Sequence, residues 1–292
     1  MAVPYSQAIS QYLDNHTYIK KNGSWETVED VQIKSGGTWR DTKAVYIKSG
    51  GTWRTVHEGD HFLFNYQDNS NSTSELSLST ILSNAGYSSG AIKGAITINC
   101  KRKRLNLGNY SGKVYLRINS NQKLSGSGGN GGNRGGQNGA VGMDALYSGG
   151  TPFMLDNAGM IAGGGGGGGG GQNAQCTYQN TYTYGCMKGN QCQGTDQQFA
   201  TANGGGGGGG AGYPGGQGKD GGNNGQETGG GGGGGNNGCG SNSGGGGGNL
   251  GQGGQNAGGN GGSKGYAIAG INHRITNVGS GEGDLRGGTS NT

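Results

Sequence analysis

The sequence predicts a mainly β chain organised around a packed sandwich of polyglycine II helices, with a small N-terminal β-repeat meander and one short helix. Three observations lead there. Glycine supplies 77 of 292 residues, about a quarter against the usual ~7%, and it comes in solid runs with only 3 prolines, which excludes a collagen triple helix. Hydrophobic residues make up 28% and charged residues 13%, too little for one large conventional core. Finally, Trp25, Trp39 and Trp53 recur every fourteen residues in the frames YIKKNGSW, QIKSGGTW and YIKSGGTW, an internal repeat.

In chain order, composition marks residues 1–60 as a Trp-repeat region, 61–125 as a β-layer with a short helix, and 126–292 as a glycine-rich domain. Each Trp repeat alternates a β-prone run with a Gly-containing turn, a hairpin signature, so residues 17–57 are expected to form an antiparallel meander whose tryptophans stack on one face. A unit that small needs a partner to dock on, which makes Trp25, Trp39 and Trp53 attachment candidates. Ser72 followed by Glu75 reads as a capping box opening a helix through Leu76, Leu78, Ile81 and Leu82, stopped by Asn84-Ala85-Gly86. Alternation over 91–99 and 112–119 predicts strands that bury Ile96, Ile98, Val114, Leu116 and Ile118.

From Gly126 glycine recurs every third residue, the period of an extended left-handed helix. Solid runs follow at 163–171, 204–210, 229–235 and 244–248. Without a Cβ such rods can lie side by side and pair their N–H and C=O groups with neighbours. A flexible linker is the competing reading, but the apolar brackets Phe153-Met154-Leu155, Met160-Ile161 and Tyr266-Ala267-Ile268-Ala269 argue for a packed bundle.

Function classes narrow by exclusion. A net charge of +5 is too diffuse to name nucleic acid as a partner. No run reaches the length of a membrane span and the N-terminus lacks signal-peptide blocks, so the expectation is a soluble chain made in a cytoplasm, without membrane insertion. His57-Glu58-Gly59-Asp60-His61 fits H-E-x-x-H, but Gly59 and the β-prone Phe62-Leu63-Phe64 point to a turn rather than the helix a zinc protease needs. No nucleophile motif or P-loop is present, and no cofactor, metal or enzymatic activity is expected. Lys101-Arg102-Lys103-Arg104 lacks interleaved aromatics and reads as a solvated edge. Five cysteines without a C-x-x-C pair leave open whether Cys176, Cys186, Cys192 and Cys239 form disulfides or stay thiols.

The segment 172–203 is different in kind. Tyr178, Tyr182, Tyr184 and Phe199 lie among Gln179, Asn180 and Thr183, the mixture of aromatic area and small amides that adaptable binding loops use. These residues, with Tyr213 after the second run, form the candidate binding set. Rod-end capping is the alternative role for the tyrosines.

The stretches ILSNAGY, KVYLRINSNQKLSGSGGNGGNRGG, FMLDNAGMIAGGGGGGGGG and GYAIAGINHRITNVGSGEGDLRG resemble the glycine-rich receptor-recognising adhesins at the tips of tailed-phage long tail fibres, of the T-even-like type, over residues 75–285. That resemblance implies polyglycine II rods as scaffold, distal loops that touch a bacterial surface receptor (an outer-membrane protein or lipopolysaccharide), a tail-fibre protein of the same virion as partner, and a place at the fibre tip. A structural polyglycine protein of ice-binding or cell-wall type, or a fibre-assembly chaperone, is the alternative.

Overall fold

The computed structural model describes residues 17–290 except 22, 29–31, 42–43, 59–60, 187–190, 237–240 and 271–283. Its first six strands form three separate hairpins: β1 (Thr17–Lys21) with β2 (Ser24–Val28), β3 (Gln32–Ser35) with β4 (Thr38–Asp41), and β5 (Ala44–Ser49) with β6 (Thr52–Glu58). Consecutive glycines Gly36 and Gly37 (φ 61° and 82°) and Gly50 and Gly51 (φ 59° and 82°) supply the two left-handed residues that a two-residue hairpin turn requires. The repeat thus encodes a hairpin, and in each one a lysine faces the tryptophan: Lys20↔Trp25, Lys34↔Trp39, Lys48↔Trp53.

Two expectations change here. Among the described residues the hairpins pair only within themselves rather than as one meander, and Trp39 and Trp53 stay exposed rather than stacking on a shared face. A two-stranded sheet has no second layer to cover it, so Trp39 and Trp53 stay 61% and 65% exposed, each with a lysine ammonium 5.8 and 5.9 Å from its ring centroid. The Trp25 side chain lies outside the described residues.

From His61 onward every sheet of the β-layer is parallel. The first face holds β7 (His61–Asp68), β9 (Ala91–Ile98), β12 (Gly112–Ile118) and β15 (Phe153–Asn157) side by side in chain order. On the second face lie β10 (Lys101–Lys103), β13 (Lys123–Ser125), β16 (Met160–Ala162) and β20 (Asp284–Arg286). The third carries β8 (Leu76–Ser77), β11 (Leu105–Asn106), β14 (Leu146–Tyr147), β19 (Ile268–Ala269) and β21 (Thr289–Ser290). Visiting the three faces in rotation, the chain winds a three-sided parallel β-helix. Register stacks like on like: Tyr66, Ile96, Leu116 and Leu155 follow one another across the first face.

The strands expected from alternation are present, and Ile96, Ile98, Val114, Leu116 and Ile118 are fully buried with Leu105, Leu124, Leu146 and Ile161. Helix α1 spans Leu78–Asn84 and begins later than the Ser72 box suggested. Leu76 and Ser77 are drawn into the parallel ladder with Leu105 and Asn106, so Ser77 becomes the N-cap and its hydroxyl accepts from the Thr80 N–H at 3.2 Å. Glu75 instead meets Arg104 at 3.4 Å.

The glycine-rich sequence departs from one corner of this β-helix, between the second and third faces: once after β13 as residues 126–145, and again after β16 as residues 163–267. Strands on both sides of each excursion remain in the three sheets, so the β-layer continues past residue 125 to the end of the described chain. The separation escapes sequence reading because partners such as Leu146 and Ile268 are far apart in the chain and no local turn links them.

Within the excursions, extended segments run alternately away from and back towards the β-helix. Bond direction along 163–171 repeats every third residue. Gly164, Gly167 and Gly170 donate to the carbonyls of Met143, Ala140 and Gln137, all at 2.8 Å, and Gly165, Gly168 and Gly171 donate to Ala211, Gly208 and Gly205. Gly166 and Gly169 donate to Gln252 and Gln255. The carbonyls of the same run accept from Gly129 and Gly132, from Gly245 and Gly248, and from Gly259, Gly262 and Gly265. Six surrounding segments are bonded to one rod, with the three-residue period of an extended threefold helix. The run 204–210 is enclosed in the same way, donating towards Gly132, Asn223 and Gly245 and accepting from Gly168, Lys219 and Gly231.

This enclosure explains where glycine is obligatory. A Cβ at any position of 163–171 would fall well under 3.0 Å from a neighbouring carbonyl. In the peripheral run 229–235, by contrast, Gly229, Gly232 and Gly235 have no atom closer than 3.6 Å to such a Cβ; one residue in three points outward. At the bundle's rim asparagine replaces the missing rod: the side-chain oxygens of Asn130, Asn224, Asn138 and Asn249 accept from the backbone N–H groups of Gln217, Gly218, Asn260 and Gly230 at 2.8–3.1 Å. An amide side chain offers the carbonyl that a neighbouring backbone would have offered.

Candidate functional site

Because each rod begins or ends at the β-helix, the opposite end of the bundle collects, among the described residues, the turn after Asn133, the segment 172–203, the turn at Asp220, the contact of Asn236 with Ser241 and the turn at 256–258. Segment 172–203 is a long hairpin rather than an irregular loop, formed by β17 (Ala174–Gly185) and β18 (Gln191–Ala202) in unbroken antiparallel register. At its base Asn173 Oδ1 accepts from the Gly204 N–H at 2.9 Å and the Gln172 carbonyl accepts from the Asn242 N–H at 3.1 Å. A disulfide joins Cys186 and Cys192 near its tip, and Cys176 is disulfide-bonded as well. Cys239 lies outside the described residues.

Strand alternation sorts the candidate residues onto two faces. Tyr178, Asn180, Tyr182 and Tyr184 share one, opposite Gln198, Asp196, Gly194 and Cys192. Gln179 and Phe199 belong to the other. The three tyrosines are about half exposed and Phe199 more so, at 69%. On the tyrosine face the rings of Tyr182 and Tyr184 sit 5.8 Å apart, and a Cβ at Gly194 would come within 2.7 Å of the Tyr182 ring. The missing side chain at Gly194 is what lets that ring lie across the partner strand. The result is an exposed aromatic ridge fringed by amides and hydroxyls, able to bury aromatic area at little entropic cost while hydrogen-bonding at its edges.

Tyr213 is placed elsewhere. The run 204–210 descends from the hairpin to the β-helix, so Tyr213 sits at the opposite end of that rod from Phe199, its N–H donating to the Gly126 carbonyl at 3.1 Å, next to a cis bond with Pro214. What sequence reading missed at the distal end are the short turns. Arg134 donates its N–H to Asp220 Oδ2 at 2.8 Å, tying two of them together, and Asp220 itself takes a positive φ of 42°. Lone Asn and Asp between glycines were the available signal.

The basic run at 101–104 is not the solvated edge expected. Arg102 is buried and bidentate to Asp68, with nitrogen–oxygen distances of 2.5 and 2.6 Å; the carboxylate holds the guanidinium's pKa up. Beside them the buried thiol of Cys100 is pushed up to about 11 by burial and then by Asp68, which leaves it an inert core thiol at neutral pH. Lys101 Nζ bonds the Glu227 carboxylate at 2.9 Å, and Lys123 Nζ donates to the Glu227 carbonyl at 2.5 Å. Glu227 lies in a turn of the glycine bundle, so this pair pins the bundle to the β-helix. Burial lowers the Lys123 pKa, while the Glu227 hydrogen bond raises that of Lys101. His57 and His61 stand on strands β6 and β7, not on a helix.

The family model described as Phage tail fibre adhesin Gp38 matches residues 62–290, beginning at the second residue of β7 and so leaving the three Trp hairpins outside. Among solved structures, the chain is similar to one described as the crystal structure of the gp37-gp38 adhesin tip complex of the bacteriophage S16 long tail fiber. The identity is 19%, the TM-score 0.45, and the match covers 78% of this chain and 84% of that one. No curated protein matches the chain.

Proposed function

Because this chain belongs to the family of phage tail fibre adhesins Gp38, we propose that it engages a bacterial outer-surface receptor, an outer-membrane protein or lipopolysaccharide, from the tip of a phage tail fibre. The contact is made at the distal hairpin and the turns around it. The observation that carries this reading is the polarity of the bundle: one end is pinned to the β-helix through Glu227, and the other presents the exposed tyrosine ridge of 172–203. The role is one of binding without chemistry. Three units divide the labour: residues 1–60 mount the chain on a tail-fibre protein, the β-helix carries the load, and the glycine bundle holds the hairpin away from the fibre.

If the ridge is the contact, replacing Tyr182 and Tyr184 by alanine weakens binding to intact bacteria by about 2 kcal/mol, roughly thirtyfold, when either ring is a buried anchor. Both rings are exposed in the free protein, so the melting temperature should barely move. Competition of purified chain against phage adsorption measures this; undiminished competition by the double variant would remove the ridge from the site.

The mounting role is carried by Trp39 and Trp53, large aromatics left exposed on hairpins that are near-copies of each other. A repeated surface suits a repeated or extended partner better than a specificity-determining one. Trp39→Ala with Trp53→Ala is expected to abolish incorporation into virions while the purified chain still binds cells. Quantitative blotting of purified particles reads the first and the adsorption competition the second; normal incorporation would contradict the assignment.

A further inference from the structure

On the flank of the molecule, far from the distal hairpin, a groove of about 300 Å³ lies where the β-helix meets the rods 137–145 and 259–266. It is lined by Arg104, Val141, Met143, Asp144, Lys264 and Tyr266 among others. Several observations converge on Arg104. Its backbone has a positive φ of 27°, uncommon for a residue with a side chain and a form of strain that clusters at ligand sites. Its guanidinium lies 5.5 Å over the Tyr147 ring with Nη1 3.4 Å from the Glu75 carboxylate, while its Nε is buried with no hydrogen-bond partner among the described residues, a donor whose desolvation those residues leave uncompensated. Across the groove Lys264 makes no ion pair among the described residues.

The remaining walls fit a sugar ring rather than a bare ion. Tyr266, with 39% of its surface exposed, and Val141, at 62%, offer apolar area to the C–H face of a pyranose. Asp144 Oδ1 is held by the Tyr266 N–H at 2.7 Å, which fixes the carboxylate and leaves Oδ2 to accept from a sugar hydroxyl. The geometry points to a second binding site in this groove for an acidic sugar, whose carboxylate or phosphate is clasped by Arg104 and Lys264. Such a site would let the flank take hold of a charged surface glycan independently of the distal hairpin.

The test titrates the full chain with four small probes, glucuronate, glucose 6-phosphate, glucose and inorganic phosphate, followed by NMR shifts of the Tyr266, Val141 and Met143 resonances. Glucuronate, glucose 6-phosphate or both should shift these resonances saturably, and whichever binds identifies the anion. Neutral glucose and inorganic phosphate should bind at least about tenfold more weakly, since each lacks one half of the recognition. Lys264→Gln, at a surface position that leaves the core untouched, should weaken the acidic-sugar response by about tenfold, and Arg104→Gln should remove it. Should Arg104→Gln fail to fold, Lys264→Gln and the probe series still decide. No groove shifts with either acidic sugar, equal binding of glucose or inorganic phosphate, or an unaltered response in Lys264→Gln would each overturn the site. Free sugars are read without cells, so failure here is distinct from failure of the distal hairpin as the receptor contact.

Discussion

Gly167→Val is expected to leave the chain without a folded glycine bundle, whereas Gly232→Ala is expected to melt like the parent. Both residues lie inside uninterrupted glycine runs and composition treats them alike. Their surroundings differ: a Cβ at Gly167 would press into the backbone of Asn130, while one at Gly232 would meet only the Asn223 side chain, at 3.6 Å. The Gly167 N–H also donates to Ala140 and its carbonyl accepts from Gly262, so pushing one rod outward stretches bonds to several neighbours at once. The cost should exceed about 4 kcal/mol, the exceptional end of single substitutions, against less than about 0.5 kcal/mol at Gly232. Replacing an exposed glycine also removes freedom from the unfolded chain, so Gly232→Ala could even raise stability by a few tenths of a kcal/mol. Calorimetric melts of the two variants and the parent settle the comparison. Equal melting temperatures would mean that the runs are not enclosed as described.

The contrast between these two glycines also shows how far the sequence could be read. Runs of glycine and their three-residue period announced extended rods, and the alternation at Ile96, Ile98, Val114, Leu116 and Ile118 located two buried strands, because both are local patterns. Which rods are central was not legible, since enclosure depends on partners as distant as Gly129 and Gly248. The closure of the β-helix was hidden for the same reason: a parallel ladder such as Leu146 with Ile268 leaves no turn signature between its strands. Arg102 looked solvated beside three other basic residues because its partner, Asp68, is thirty-four residues earlier. For the candidate site, composition singled out Tyr178, Tyr182 and Tyr184, but the alternation of Thr, Gln and Tyr is polar on both faces and gives no strand signal. The hairpin that puts these tyrosines on one face and Phe199 on the other therefore had to come from the structure, as did the removal of Tyr213 to the far end of its rod.

The largest functional effect expected is a change of host. Rods that pair through backbone groups are indifferent to the sequence of the hairpin they carry; among the described residues the hydrogen bonds between hairpin and bundle are made at its base by Gln172, Asn173 and Gly204, and Cys176 adds a disulfide separate from the Cys186–Cys192 pair. With the disulfide-bonded cysteine kept at position 176, residues 174–202 should therefore be exchangeable as a block for the corresponding hairpin of an adhesin with another host, with no loss of the bundle's melting transition. Adsorption to a panel of bacterial strains should then follow the hairpin: strains bound by the parent are lost, and those of the donor are gained. The loss should be at least a hundredfold, because an interface keeps little affinity once its central anchors are gone.

The most direct measurement of the account is that exchange made on the virion, with adsorption rates of parent and hairpin-exchanged phage determined on both hosts. The account predicts that host range moves with residues 174–202 while the glycine runs, the β-helix and the Trp hairpins stay constant. Host range that stays with the parent chain, in a particle shown to carry folded exchanged adhesin, would contradict it.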